Sequence, residues 1–207
     1  MSVNEKTKQV LNYVLAEDEI EITTEDEEIK LSKKDIGLLS LPTGKIVACD
    51  PIVCGQLTEF RRTVHPGSYP VSVYIARIDG FDTRVALASL RFSDKKPVKW
   101  EMALKEGQNI EELEDGYIFG YAVDAGTGGF MDKAAADKID ETDIDMFDML
   151  DDTLFNDDHK PYGIVSVTGE NDVAAFLSGY GDGYYASYFG IDEDGNLCIL
   201  VTDFDIL

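Results

Sequence analysis

The sequence predicts an α+β fold: mostly antiparallel β-sheets, two stacked or strongly curved, with an N-terminal helix and an acidic helical insertion. Three observations predict it. Short runs of alternating apolar and polar residues recur along the chain, bounded by Pro, Gly, Asn and Asp. One amphipathic helical period opens the sequence. One stretch, residues 130–158, abandons the alternation for helical spacing, with strands resuming on its far side.

Taken in order, Val10, Leu11, Val14 and Leu15 recur at i, i+1, i+4 and i+5 with polar residues between, the pattern of a short helix laid on a core. Residues 18–32 alternate through Ile20, Ile22, Ile29 and Leu31 around an acidic turn, Glu25-Asp26-Glu27, which predicts a hairpin. The helix and hairpin together make up residues 1–40. Leu38–Leu41, Pro42-Thr43-Gly44 and Lys45–Cys49 repeat the strand, turn, strand order. Strands are expected over Tyr69–Ile78 and Arg84–Phe92, each with one wetter face, and again over Pro97–Leu104 and Tyr117–Val123. Within 130–158, Ala134–Ala136 favour helix and Ile144, Phe147, Leu150 and Leu154 fall at helical intervals. The opposite face carries Asp140, Glu141, Asp143, Asp145, Asp148, Asp151 and Asp152. Strands resume over 162–167, 173–177, 184–191 and 197–204, with Asp192-Glu193-Asp194-Gly195-Asn196 as the last turn.

The 207 residues fit one globular domain, 1–207, large enough to bury a core without metal or disulfide. A formal charge of −23 repels phosphate backbones and anionic lipid, and no apolar run reaches the roughly 20 residues that cross a bilayer. Neither a nucleic acid nor a membrane is therefore expected as a partner. Cys49, Cys54 and Cys198 are too few for a disulfide framework, and the N-terminus lacks a signal-peptide pattern, so the cytoplasm is the expected compartment.

The chemistry-bearing residues are carboxylates beside glycines or at strand ends. Asp50 precedes Pro51; Asp124 opens Asp-Ala-Gly-Thr127-Gly-Gly129, followed by Asp132; Asp182 lies within Gly179–Gly183. Converging at one end of a sheet, Asp50, Asp124, Asp132 and Asp182 would suit Mg²⁺ or Ca²⁺, hard ions that take oxygen ligands. The competing explanation is turn chemistry, each carboxylate capping nearby amides. The Asp192 turn fails as a calcium loop, because its glycine falls at the fourth position rather than the sixth. His65 would have to reach Cys54 to act as a base, and no orienting partner is visible. Alternation places Tyr184 with Tyr188 on one face and Tyr185 with Phe189 on the other, an aromatic surface for a sugar or a protein if exposed, and a sheet core if not.

Several segments together resemble a known family. Pro42–Pro51, Pro66–Val71, Pro97–Leu104, Val123–Gly128 with Phe130-Met131-Asp132, Ser178–Tyr185 and Val201–Phe204 resemble the bacterial domain-of-unknown-function family numbered four-two-four-one. The resemblance runs from about residue 40 onward. It implies a compact bacterial cytosolic domain and supplies no catalytic assignment.

Three functions follow as expectations. The first is an acidic interaction or immunity-type protein that binds and occludes a basic protein partner through the stripe from Asp140 to Asp158, with a field that steers cationic surfaces toward it. The second is a divalent-metal-dependent phosphoester hydrolase built on the clustered aspartates, supported if Arg61, Arg62, Arg77, Arg84 or Arg91 converge beside them. The third is a small-molecule or carbohydrate-binding module using the tyrosines. The first ranks highest, a binder rather than an enzyme, with Asp124, Thr127, Asp182, Tyr184 and Tyr185 as its expected binding residues.

Overall fold

The computed structural model describes residues 3–16, 19–23, 27–55, 57–142, 144–155, 160–170 and 172–207. Residues 24–26, which hold Glu25 and Asp26 of the expected acidic turn, and Asp143, Asp158 and His159 lie outside the described residues.

Helix α1 (Glu5–Asn12) begins where the Asn4 side chain accepts the amide of Thr7 at 2.8 Å, filling one of the donors that a helix start leaves open. A short 3-10 turn continues it over Tyr13–Leu15. The strands are β1 (Ile20–Thr23), β2 (Glu28–Leu41), β3 (Ile46–Cys49), β4 (Gly67–Ile78), β5 (Asp82–Arg91), β6 (Lys99–Met102), β7 (Tyr121–Val123) and β8 (Thr127–Asp132). Helices α2 (Lys133–Glu141) and α3 (Met146–Leu154) follow, then β9 (Tyr162–Val165), β10 (Val173–Leu177), β11 (Gly183–Tyr185), β12 (Ser187–Ile191) and β13 (Leu197–Asp203). Among the described residues all the strand pairings are antiparallel. One sheet has seven strands in the order β1-β2-β4-β5-β13-β12-β6, a second has four in the order β3-β8-β10-β9, and β7 pairs with β11.

These elements stack as four layers. The two larger sheets face each other across a core that includes Leu39, Leu41, Val73, Leu90, Phe130 and Phe176. The outer face of the seven-stranded sheet is covered by Val10, Leu11 and Val14 of the N-terminal segment. The outer face of the four-stranded sheet is covered by α2 and α3. Period-2 alternation shows this arrangement residue by residue. In β3, Ile46 and Ala48 enter the inter-sheet core while Val47 and Cys49 meet the helices, and in β10 Ala174 and Phe176 oppose Val173 and Ala175 in the same way. Each buried aliphatic side chain contributes about 1.5–3 kcal/mol of transfer free energy.

Bulges let one strand serve two layers. Between Asp35 and Gly37 the pairing of β2 with β4 slips by one residue, so Ile29 and Leu31 face α1 whereas Leu39 and Leu41, of the same parity, face the inter-sheet core. A second slip, opposite Tyr74 and Ile75, does the same in β5, sending Val85 to one side and Leu87 to the other.

Four differences from the sequence expectation have physical reasons. The helical segment begins at Lys133, because residues 130–132 complete β8, a central strand of the four-stranded sheet. Pro42-Thr43-Gly44 does turn the chain, but it carries it from one sheet to the other rather than closing a hairpin. Gly44 holds φ at +68°, and a Cβ there would lie 2.1 Å from the Val64 carbonyl oxygen. The central parts of β4 and β5 are buried on both faces, since the N-terminal helical segment covers the side expected to be wet. Finally, the stretch from Tyr117 is strand only over Tyr121–Val123.

Candidate functional site

Three loops meet at one end of the sheets, and the expected aspartates are what join them. Asp50 is buried. Its Oδ1 accepts the amides of Ile52 and Val53 at 2.9 and 3.2 Å, and its Oδ2 accepts those of Asp124 and Ala125 at 3.0 and 2.7 Å. Asp182 Oδ1 accepts the amide of Gly126 at 3.0 Å, and the Ser178 amide donates to the Gly126 carbonyl at 3.0 Å. The loops at Asp50, Asp124 and Asp182 are thus brought together. Asp132 is not with them: it sits at the far end of β8, five residues or about 17 Å from Thr127. There it caps α2 through the Ala134 amide and ties down Thr43 by amide and hydroxyl.

The remaining members of this junction are held internally. Thr127 is buried and donates its hydroxyl to the Ala125 carbonyl at 3.1 Å. Ser178 and Tyr185 both donate to the Gly181 carbonyl at 2.9 Å. Gly126 and Gly181 take φ of +61° and +108°, the left-handed region that favours glycine. The Asp124 and Asp182 side chains are exposed. Among the described residues, no three His, Cys, Asp or Glu side chains group as a metal ion needs.

Two of the expected arginines pair with other carboxylates. Arg62 pairs with Glu101 at 2.7 Å, and Arg84 pairs with Asp82 at 2.9 Å while lying over the Tyr180 ring. Cys54 takes a positive φ of 54° and its thiol contacts the Pro51 carbonyl; burial and the neighbouring Asp50 push that thiol up to about 11. Burial raises the Cys49 thiol as well, and the same cause lowers the Lys105 ammonium, which reaches the Ala48 carbonyl at 3.5 Å. High thiol pKa values leave little thiolate, so neither cysteine is set up as a nucleophile.

The tyrosine row is broken at Ala186, where the chain leaves the β7–β11 pair and joins the seven-stranded sheet. Tyr184 is 47% exposed, with its hydroxyl accepting the Gly120 amide at 3.1 Å, whereas Tyr188 is buried on the α1 side. Tyr185 and Phe189 do share the inter-sheet core.

The outer face of the helical layer is different in kind. Met146, Leu150 and Leu154 bury the inner face of α3, and Ile139 does so for α2. Asp145 caps α3, accepting the amides of Phe147 and Asp148. Outside stand Asp137, Asp140, Glu141, Asp148, Asp151 and Asp152, all exposed. Among them Phe147 and Phe155 are 48% and 44% exposed, with rings stacked at a 5.8 Å centroid separation and 21° between planes. The sequence expectation counted Phe147 in the apolar stripe. The i, i+4, i+8 spacing of Met146, Leu150 and Leu154 is the signal that would have set it apart, since Phe147 lies one residue, about 100°, off that line.

Residues 39–202 match the family described as "Protein of unknown function (DUF4241)". No curated protein and no solved structure matches the chain.

Proposed function

The chain belongs to that family, whose description names no activity, and we propose from its own surface that it is an acidic interaction protein that docks a basic protein partner on its helical layer. The observation that carries this is the stacked Phe147–Phe155 pair standing in solvent among carboxylates. Exposed aromatic rings are costly to leave in water and are typical anchors of interfaces. Around them, residues 133–155 hold eight carboxylates against two lysines. The carboxylates give long-range steering and charge complementarity toward a cationic surface, and the rings give the short-range contact. The partner implied is a basic protein with an apolar recess, and occlusion of its functional face is the mode of action, as for an immunity-type protein.

The hydrolase reading gains no support from Arg62 and Arg84, which pair with Glu101 and Asp82, or from Asp50, whose oxygens are taken by backbone amides.

The test is affinity capture from the cells that make the protein, with the intact chain and with Phe147→Ala/Phe155→Ala. A basic protein retained at low salt, released at high salt and lost from the variant is expected. Capture that is equal with both, or retention of acidic proteins only, would overturn the proposal. Phe81→Ala, at an exposed phenylalanine of the β4–β5 turn, controls for loss of any surface ring and should retain the partner.

A further inference from the structure

We infer that the recess between the start of α1 and the acidic loop at residues 110–118 is a binding site for a small organic ammonium ion, a protonated amine on an apolar body, with Tyr188 and Asp115 as its polar contacts. The cavity there has a volume of about 380 Å³, within the range of small-ligand sites. It is separate from the outer face of α3 and does not depend on the docking proposed there.

Its walls are largely apolar. Val3 precedes α1, Met102 ends β6, and Ile110, Leu113 and Ile118 come from the loop. Met102 stands opposite Tyr188 in the β6–β12 pair, which sets both side chains on the same face of the sheet. The loop is fastened to that pair, since the Phe119 amide donates to the Met102 sulfur at 3.3 Å, and Gly116 turns the chain with φ at +87°. The Asn109 side chain accepts the Glu111 amide at 3.1 Å and steadies the loop's first turn. An apolar body seated between these walls gains by leaving water.

The polar groups decide the charge of the ligand. Tyr188 is only 5% exposed, and its hydroxyl makes no hydrogen bond to any described residue, whereas the buried Tyr74 and Tyr185 donate to the carbonyls of Val14 and Gly181. Tyr121 also lacks a partner, but its hydroxyl is sealed in the inter-sheet core; Tyr188 opens on the cavity. A phenol that finds its partner in the cavity can accept from an ammonium N–H. Burial, with the carboxylates of Asp203 and Asp205 beside it, pushes this phenol up to about 12, so it keeps its proton and the charges around it are negative. Asp115 lines the cavity, is exposed, and forms no ion pair among the described residues. The loop adds Glu111, Glu112 and Glu114 and has no basic residue. Two features would favour an anion, and both are offset. The start of α1 has its Thr7 amide capped by Asn4 and carries Glu5 in its first turn. Lys6, the cation that acts on Asp203, does not line the cavity. A carboxylate or phosphate would therefore meet like charge here, and an ammonium ion meets opposite charge.

The experiment is a ¹⁵N NMR titration of the intact chain with phenethylamine in about 150 mM salt, which damps diffuse attraction to an acidic surface. Phenethyl alcohol is the neutral counterpart, hydrocinnamate the anionic one, and methylammonium the charge without the apolar body. Saturable shifts of the Met102, Tyr117 and Ile118 amides are expected with phenethylamine, about tenfold weaker binding with the alcohol, and no shift of those amides with the other two. Tyr188→Phe, which removes only the hydroxyl, should weaken phenethylamine about tenfold, and Asp115→Asn about threefold. The spectrum of each variant away from the cavity reports that it is folded. No saturable shift with phenethylamine up to about 20 mM would overturn the inference. So would the alcohol or hydrocinnamate binding as tightly as the amine, methylammonium reproducing its shifts, or either folded variant binding as tightly as the parent.

Discussion

The carboxylates of the loop junctions and those on the outer face of α3 are the same chemical group in opposite circumstances. Asp50 has both oxygens occupied by four backbone amides from two separate segments, and Asp172, also fully buried, accepts the amides of Val167 and Thr168. Such an aspartate substitutes for secondary structure: it supplies acceptors where loops leave amides unpaired, and its charge is spread over several donors. Asp148 and Asp151 stand in solvent beside two exposed rings and organise no loop. The difference teaches that a high acidic content can consist of two populations, one that closes the fold and one available to a partner. Position relative to glycine separates them poorly; the number of amides each carboxylate accepts separates them well.

Substitutions can break that comparison, and the largest effect is expected at its buried end. Asp50→Ala leaves four amides without an acceptor and should destabilise by about 3–5 kcal/mol in urea unfolding, with Asp50→Asn in between. Asp132→Ala removes a helix cap and the tie to Thr43, with an expected loss of about 2 kcal/mol by the same measurement.

Asp203 supplies a pH test with a worked sign. Burial raises its carboxyl to about 6, above an unfolded value of about 3.9. Between those values the folded state holds more protons than the unfolded one, so this group makes stability fall as pH rises from about 4 to about 6. Asp203→Asn should remove that segment of the pH profile and stabilise the protein at pH 7 by about 1 kcal/mol, after allowance for partial exposure. Thermal unfolding of both proteins across the window checks it.

Asp182→Ala loses one exposed amide bond and should cost about 0.5–1 kcal/mol. The smallest effect belongs to Asp148→Asn/Asp151→Asn, expected within about 0.5 kcal/mol of the parent in stability while weakening retention of the basic partner. A loss of several kcal/mol there would move α3 into the fold-holding population.

Much of the architecture was legible in the sequence from short apolar runs bounded by turn residues, such as Ile46–Cys49 and Val173–Phe176, and from the helical spacing of Leu150 and Leu154. The four-layer arrangement was not legible, because the β2 bulge reverses the meaning of parity between Leu31 and Leu39 and is marked locally by Gly37 alone. The glycine loops announced that Asp50, Asp124 and Asp182 sit on turns, and the structure joins those loops. Asp172 was missed although it stands just before the expected strand at 173, because the amides it accepts, those of Val167 and Thr168, are not marked by its position, and the Tyr184–Tyr188 row was misread because the chain changes sheets at Ala186.

The measurement that tests the central claim most directly is hydrogen–deuterium exchange of the protein alone and in complex with its captured basic partner. The account predicts slowed exchange for the amides of α3 and Phe155, with the Asp124 and Ser178–Gly183 loops unchanged. Slowing confined to those loops, with α3 exchanging as in the free protein, would contradict it.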